Sequence, residues 1–384
     1  MLSTAKNPLL TIESEYGQSI WMDNLSRDLL ESGELAKLIT TRGVLGITSN
    51  PAIFEKAIVG NAIYDTEIKA GIQANKSLND IYESLIFTDI RKACDILLPV
   101  YKQTNGIDGY VSIEVPPTIA TDTKSTISEA RRYHAAIGRP NVMIKIPGTP
   151  EGLPAVEQMI GEGICINVTL LFSVESYVES AWAYIRGLET RAAKSEDIST
   201  ISSVASFFLS RIDTNIDAKL DRLIKNLTDP AKIEKISAIK GKIAIANAKI
   251  AYQEYKKIIA TDRWQALEAK GARVQRLLWA STGTKDPSYS DVMYVDGLVG
   301  NNTVNTLPPN TLEACADHCD PASRIEAGVD EAYRLVASLQ DSDVNIDLDA
   351  VMDELLIDGL DKFVKPFDSL MKSLASKAGN LTFV

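Results

Sequence analysis

A single lysine interrupts a segment of the chain in which only apolar side chains are expected. Lys145 lies between Ile144 and Ile146, in a run (141–149, NVMIKIPGT) that predicts a buried β-strand. Burial disfavours the charged form of an amine, so this lysine should favour the neutral amine, which attacks a carbonyl group to form a Schiff base. The alternative is a lysine at a strand end whose ammonium group reaches solvent, and this strand alone leaves both interpretations open.

Polar side chains also stand at or just beyond the carboxyl ends of six other predicted strands. In chain order they are Asp23, Asn50, Glu114, Asn167, Thr169, Ser206, Arg211, Ser281 and Lys285. Polar residues end many strands, so no single position is informative, but two carboxylates, an amine and several amides and hydroxyls together indicate a site. Two carboxylates on different strands can hold different protonation states, as acid–base chemistry requires.

The elements that must position these side chains are eight short β-branched runs that alternate with longer amphipathic stretches. We assign the strands to residues 19–22, 44–47, 110–113, 142–144, 164–168, 203–205, 276–279 and 292–295. The alternation predicts an α/β protein, and eight parallel strands favour a closed (β/α)8 TIM barrel with additional helices. A doubly wound sheet is the rival, but no glycine-rich phosphate fingerprint follows the first strand. In a barrel, the polar strand ends meet at one rim, where active sites are built.

The connections between the strands fit a single barrel domain over residues 1–384. Helical insertions are expected at about 55–108, where apolar residues fall at helical spacing, and at about 213–270, which is rich in Ala, Ile, Lys and Glu. The last stretch, 347–374, alternates acidic and apolar residues and predicts a C-terminal helix pair. A break at 363–367 would let the terminal helix fold over the barrel mouth.

The composition excludes several classes of protein. With 40 basic and 51 acidic residues among 384, the chain has a formal charge of -11, which argues against a nucleic-acid partner. The chain lacks a stretch of 18 apolar residues and the apolar core of a signal peptide, which predicts a cytoplasmic, soluble protein with no membrane contact. The sequence leaves both a monomer and a homodimer open.

Cysteines and histidines are too few for most metal or triad chemistry. The four cysteines lack a disulfide-framework or zinc-ribbon spacing, and only two histidines are present. Cys315, His318 and Cys319 could form half of a metal site, but without a second cluster an ordinary helical segment is favoured. We therefore expect free thiols and no metal or other cofactor.

Six segments resemble strand-end motifs of the transaldolase family, in the expected order along the chain. They are GITSNPAIF (46–54), VSIEV (111–115), IKIP (144–147), INVTLLFS (166–173), SFFLSRID (206–213) and WASTGTK (279–285). The chain is similar to the longer bacterial type. The resemblance implies a transferase of the non-oxidative pentose phosphate pathway. It would move a dihydroxyacetone unit from fructose 6-phosphate or sedoheptulose 7-phosphate to erythrose 4-phosphate or glyceraldehyde 3-phosphate.

The resemblance also implies a role for individual residues. Lys145 would form the Schiff base, and Asp23 would take the proton of the C4 hydroxyl group during carbon–carbon cleavage. Glu114 would move protons through a water molecule that Thr169 also holds. The residues implied in binding the three-carbon unit are Asn50, Asn167, Ser206 and, as a wall of the pocket, Phe208. A protonated imine is itself the electron sink, so this chemistry needs no metal.

The phosphate end departs from the pattern of the shorter family members. Arg211 lies five residues after Ser206, as the family pattern requires, and its planar fork suits a phosphate group. The second arginine of the pattern is replaced by Gly283. We interpret Lys285, together with Ser281, as the compensating contact, and a solvated loop lysine as the alternative.

Three functions stay open at this point. The leading one is a transaldolase that acts on small-molecule sugar phosphates. A class I aldolase would share the lysine but release free dihydroxyacetone. A non-catalytic sugar-phosphate-binding barrel would need a damaged site, whereas Asp23, Glu114 and Lys145 are all present.

Overall fold

Eight parallel β-strands close into a barrel in a computed structural model, which describes residues 7–382, with the side chains of 7–379. Each strand pairs with the next in the chain, and the last pairs with the first. The strands are β1 (Gln18–Asp23), β2 (Val44–Thr48), β3 (Val111–Glu114), β4 (Val142–Pro147), β5 (Ile166–Leu171), β6 (Ser203–Phe208), β7 (Arg276–Ala280) and β8 (Thr303–Leu307). The predicted (β/α)8 fold is confirmed.

Helices surround the barrel and connect its strands. They are α1 (Pro8–Tyr16), α2 (Arg27–Glu31), α3 (Glu34–Arg42), α4 (Pro51–Ile58), α5 (Asp65–Gln73), α6 (Leu78–Gln103), α7 (Thr123–Ile137), α8 (Gly152–Gly161), α9 (Val174–Ala193), α10 (Ser210–Ile224), α11 (Pro230–Ser237), α12 (Ile243–Ile259), α13 (Asp262–Glu268), α14 (Met293–Asp296), α15 (Pro309–His318), α16 (Val329–Ser338) and α17 (Leu348–Thr382), with 3-10 turns at Ala62–Tyr64 and Pro117–Ile119. Between residues 7 and 382, no helix combines the length and the apolar content that crossing a membrane requires.

Local sequence signals explain where the helices after the strands begin. Asn50, Asp122 and Ser173 are the N-caps of α4, α7 and α9, and each side chain accepts a hydrogen bond from a backbone N–H of the first turn. Such caps satisfy donors that have no partner within the helix. The strand-to-helix turns at the carboxyl rim are therefore fixed locally.

The eighth strand lies elsewhere than predicted. Residues 292–295 were assigned to it, but Met293–Asp296 forms the one-turn helix α14, and β8 is Thr303–Leu307. A short apolar run does not distinguish a strand from a buried helical turn. The true strand carries three buried polar residues, Thr303, Asn305 and Thr306, so it lacks the apolar pattern that predicts a strand.

The C-terminal segment is one helix rather than the predicted pair. Pro366 lies inside α17 without ending it. An interior proline costs about 3 kcal/mol by removing one hydrogen bond. Packing on both sides offsets this cost, since Phe363 and Leu370 are buried. As expected, the helix lies over the barrel mouth, where it contacts β5, α4 and α10.

The rim opposite the mouth is closed by a buried charge network. Asp108 accepts hydrogen bonds from Ser19, Trp21 and Arg276 at 2.7, 2.8 and 2.9 Å. These contacts join β1 and β7 to the segment before β3. They are costly to break, because loss of one partner would leave a buried charge without compensation. This rim serves stability and leaves the other for chemistry.

Candidate active site at the carboxyl rim

Strand register brings three of the predicted site residues into one row. Glu114 pairs with Lys145 across β3 and β4, and Lys145 pairs with Asn167 across β4 and β5. Residues that are paired in register point to the same side of a sheet, so all three face the barrel interior. Thr169 lies two residues after Asn167 on β5 and therefore faces inward as well.

Lys145 is buried, and its amine lies beside a carboxyl group. The side chain is 5% exposed, Nζ lies 3.8 Å from Glu114 Oε2, and Nζ donates to the backbone carbonyl of Ser49 at 3.3 Å. The alternative of an ammonium group that reaches solvent is therefore wrong. A buried lysine with an acid–base partner is the arrangement that Schiff-base chemistry needs.

Glu114 is held in an environment that favours its protonated form. Burial raises the pKa of Glu114 to about 7, although the positive charge of Lys145 lowers it, and the negative charge of Asp23 adds to the increase. Within the described residues, neither carboxyl oxygen has a hydrogen-bond partner. A group with this pKa can both donate and accept a proton near neutral pH.

The shifted pKa of Glu114 predicts a pH-dependent stability difference. From pH 4.5 to about 7 the unfolded chain releases this proton while the folded protein keeps it, so the free energy of unfolding falls as the pH rises. Glu114→Gln removes this cost. We expect the stability of the variant, relative to wild type, to increase by on the order of 3 kcal/mol over this range in urea unfolding experiments.

Glu151→Gln, which removes an exposed carboxylate, is the matched control against which the Glu114→Gln difference is measured. A Glu114→Gln difference that does not change between pH 4.5 and pH 8 would contradict the assigned environment.

Asp23 ends β1 on the other side of the same mouth. Its Oδ1 accepts a hydrogen bond of 2.6 Å from Thr48, which in turn contacts Thr306 at 2.8 Å. Burial raises the pKa of Asp23, while the charge of Lys145 and the Thr48 hydrogen bond oppose the increase. The carboxylate is thus fixed in orientation and close enough to Lys145 to interact with its charge.

A chain of hydrogen bonds fixes two further predicted residues. Ser206 donates to Asn167 Oδ1 at 2.7 Å, and Asn167 Nδ2 donates to Ser112 at 3.1 Å. This sets the orientation of the amide, which leaves the second Nδ2 hydrogen for another acceptor. Asn50 is similar, because its Oδ1 caps α4 through Ile53 N–H at 3.1 Å and its Nδ2 is left to donate.

Thr169 lies below these groups, next to an irregularity of β5. It is fully buried, and its hydroxyl group has no hydrogen-bond partner among the described residues. A β-bulge follows between Val168 and Leu171, where Leu170 adopts a left-handed conformation with φ of 60°. Bulges and such strained residues are concentrated next to active sites.

Arg211 and Phe208 form the wall of the mouth that β6 and α10 provide. The guanidinium carbon of Arg211 lies 5.2 Å from the centre of the Phe208 ring. Burial lowers the pKa of Arg211, against the charges of Asp358, Asp23 and Glu114. Its Nη1 is buried and has no partner in the described part of the chain, so a donor is left for an anion.

Ser281 and Lys285 differ in how the structure places them. Ser281 has a left-handed backbone with φ of 56° and shares a 2.9 Å hydrogen bond with Ser210. Lys285 is exposed on the following loop, beside a surface groove that Asp213 and Asp217 also line. Burial raises the pKa of Asp23, and the positive charge of Lys285 opposes this increase. The structure therefore brings Ser281, but not Lys285, to the wall of the mouth.

These side chains enclose a cavity of ≈ 80 Å³. Its lining comprises Asp23, Thr48, Asn50, Lys145, Ser206, Phe208, Arg211, Ala280, Ser281, Thr306 and Phe363. Glu114, Asn167 and Thr169 lie buried around it. A buried amine, two carboxyl groups with raised pKa values and several polar donors surround one small space, which is suited to carbonyl chemistry on a polyhydroxylated fragment.

Comparison with known proteins agrees with this geometry. The family model for transaldolase and fructose-6-phosphate aldolase matches residues 20–374. The chain is 66% identical over 376 residues to a transaldolase of Trichodesmium erythraeum. The aligned residues cover 98% of this chain and 99% of the relative. The chain belongs to the transaldolase/fructose-6-phosphate aldolase family. The family resemblance of the six sequence motifs is thereby confirmed.

The similarity extends to other members of the family, one of them more distant. The chain is 66% identical over 372 residues to transaldolase 2 of Nostoc punctiforme, with 97% of each chain covered. It is 45% identical over 369 residues to a transaldolase of Saccharopolyspora erythraea, with 96% of this chain and 97% of the relative covered. The match thus includes every strand of the barrel.

Sequence reasoning missed four residues that line the cavity, Thr48, Ala280, Thr306 and Phe363. The first two directly follow predicted strands and contribute to the wall beside Asn50 and Ser281. Thr306 was missed because β8 was misplaced, although glycine and asparagine at 300–302 and prolines at 308–309 are turn signals that bracket the true strand. Phe363 was mentioned only as part of a break. Its position depends on how α17 packs against the barrel, for which the local sequence gives no signal.

The segment that contains Cys315, His318 and Cys319 forms the end of helix α15, as the sequence analysis favoured. Cys315 lies inside α15 and Cys319 ends it, and both thiols are buried. Across residues 7–382, no group of three or more His, Cys, Asp or Glu side chains is arranged to hold a metal ion.

Proposed function

We propose that this chain is a transaldolase that moves a dihydroxyacetone unit between sugar phosphates through a Schiff base on Lys145. Fructose 6-phosphate or sedoheptulose 7-phosphate is the donor, and erythrose 4-phosphate or glyceraldehyde 3-phosphate the acceptor. The observation that carries the proposal is the buried Lys145 amine, 3.8 Å from the Glu114 carboxyl group inside the mouth of a family barrel.

The first half of the reaction forms the imine. The Lys145 amine gives up its proton and attacks C2 of the donor, and the resulting carbinolamine loses water. Glu114, with a pKa of about 7, supplies and removes the protons of this step. Among residues 7–379, neither its oxygens nor the hydroxyl group of Thr169 has a partner, which suits a shared water molecule, since buried polar groups need a partner.

The second half breaks and remakes a carbon–carbon bond. Asp23 takes the proton of the C4 hydroxyl group, the C3–C4 bond breaks, and its electron pair moves to the iminium nitrogen to give an enamine on Lys145. The aldose phosphate leaves, and the acceptor aldehyde takes its place in the reverse sequence. Two carboxyl groups of different surroundings thus serve two proton transfers.

The polar cavity wall holds the three-carbon unit between the two halves. Ser206 and the free Nδ2 hydrogens of Asn50 and Asn167 bind its hydroxyl groups, and Phe208 packs beside it. The hydrogen bonds that orient Asn167 and Asn50 support this role, because a preoriented donor loses little entropy when it binds.

Arg211 is the main phosphate contact in this proposal, with Ser281 beside it and Lys285 contributing only at longer range. We expect Arg211→Met to lower kcat/KM for fructose 6-phosphate by about 10- to 100-fold, the effect of losing a charged hydrogen bond. Lys285→Met should cost about fivefold or less, since exposed charges contribute little. With unphosphorylated fructose as donor, both variants should match wild type.

The exposed Arg222→Met, on the same helix as Arg211, is the control. A larger loss for Lys285→Met than for Arg211→Met would reverse the assignment of the phosphate contacts.

Donor turnover with and without acceptor tests the function itself. A transaldolase consumes fructose 6-phosphate rapidly only when erythrose 4-phosphate is present. Equal consumption without acceptor, with release of dihydroxyacetone, would favour a class I aldolase. Binding without any turnover would favour a non-catalytic barrel.

We also propose a single domain and a cytoplasmic location. The single domain is supported by α17, which packs on α4, α5, α6 and α10 and so joins both helical insertions. The location is supported by four free, buried thiols, which suit a reducing compartment.

A further inference from the structure

The cavity around Lys145 is closed on one side by a single aromatic ring from the C-terminal helix. Phe363 of α17 is 4% exposed and lines the cavity. The Lys145 nitrogen lies 5.6 Å from the centre of its ring. This is within the distance at which a cation interacts with an aromatic face, and an iminium ion on the same nitrogen carries the same charge.

The helix that carries Phe363 approaches the barrel unusually closely one turn earlier. A Cβ atom at Gly359 would lie 3.0 Å from Leu170 and 3.5 Å from Arg211 Nη1. Leu170 is the strained residue of the β5 bulge. Residues four apart lie on one face of a helix, so the contact at Gly359 directs Phe363 into the mouth.

Contacts outside the cavity hold this helix in place. Glu354 pairs with Lys219 of α10 at 2.9 Å, and Lys377 pairs with Asp65 of α5 at 2.6 Å. Between these pairs, the Phe367 ring packs edge-to-face on Tyr82 at 5.5 Å. The helix is therefore attached on both sides of Phe363, independently of the cavity lining.

The cavity remains accessible from the opposite side. A groove of ≈ 620 Å³ shares Asp23 and Asn50 with the cavity and continues outward along Lys56 and Pro309. An acceptor aldehyde can reach the cavity through this groove while Phe363 stays in place.

We infer that Phe363 decides whether the bound three-carbon unit is transferred or hydrolysed, an inference that rests on the proposed function. In hydrolysis, the enamine carbon takes a proton to give an iminium ion, and water adds to its C=N carbon. The carbinolamine then collapses to free dihydroxyacetone and the Lys145 amine. The ring covers the nitrogen side of this unit and keeps water from it, so the enamine waits for the aldehyde that arrives from the Asp23 side.

The partition between the two fates tests this inference. We measure the rate of dihydroxyacetone release from fructose 6-phosphate without acceptor, divided by the rate of transfer to erythrose 4-phosphate. Phe363→Ala should increase this ratio on the order of tenfold, the effect of one lost interaction on a barrier. Phe363→Leu, which keeps an apolar side chain of similar reach, should give a smaller increase and keeps the test valid if the alanine variant does not fold.

Phe367→Ala is the matched control, because it weakens the packing of the same helix one turn away from the cavity. An unchanged ratio in both folded Phe363 variants would overturn the inference, as would an equal increase in Phe367→Ala. Borohydride trapping distinguishes this failure from a failure of the proposed function. A wild-type protein that gives no Lys145 adduct would remove both.

Discussion

Lys145→Met should abolish turnover of fructose 6-phosphate, with kcat lower by about 10⁴-fold or more. Methionine keeps the length and the apolar stem of the side chain, so the row formed with Glu114 and Asn167 should stay packed. What is lost is the only lysine that lines the cavity within the described residues. Without the amine there is no imine to take the electrons of the broken bond.

The measurement is a coupled assay of transfer to erythrose 4-phosphate, with circular dichroism to verify folding. Lys92→Met, which removes a half-buried lysine paired with Glu31, should retain full activity. Substantial activity in a folded Lys145→Met variant would eliminate the proposed mechanism.

Asp23→Asn should have the second largest effect, a loss of about 10³-fold in transfer. The amide keeps the shape of the side chain and can still accept the hydrogen bond from Thr48, but it cannot take the proton of the C4 hydroxyl group. Imine formation depends on Lys145 and Glu114 instead. The variant should therefore still form a borohydride-trappable adduct with fructose 6-phosphate.

The separation of the two steps is the informative result. Asp262→Asn, which changes an exposed carboxylate on α13, serves as the control with normal transfer. Loss of both transfer and adduct in a folded Asp23→Asn variant would assign Asp23 to imine formation, and near-normal transfer would remove it from the reaction.

Much of the barrel and its mouth could be predicted because strands and their ends have local signals. β1 to β7 are β-branched runs between amphipathic stretches, and parallel strands must direct their carboxyl ends to one rim. A lysine in an apolar strand such as β4 is conspicuous, and the polar ends of the other strands indicate that it belongs to a site. These features depend on the spacing of apolar residues and on residue type, and both can be read directly from the sequence.

The remaining features depend on tertiary packing. β8 carries the buried polar residues Thr303, Asn305 and Thr306, so an apolar pattern does not reveal the strand, although Thr306 lines the cavity. Phe363 reaches Lys145 only because Gly359 lets α17 approach Leu170. Spacing alone suggested that Lys285 replaces the arginine missing at Gly283, whereas the fold of the loop leaves Lys285 exposed. Contacts between distant segments decide all three.

The central claim is that the Lys145 amine forms an imine with the donor. The most direct measurement is incubation of the wild-type protein with fructose 6-phosphate, reduction with borohydride, and peptide mass spectrometry of every lysine. We predict a reduced, sugar-derived adduct on Lys145 and on no other lysine. A folded protein with no adduct, or with its adduct on a different lysine, would contradict the account.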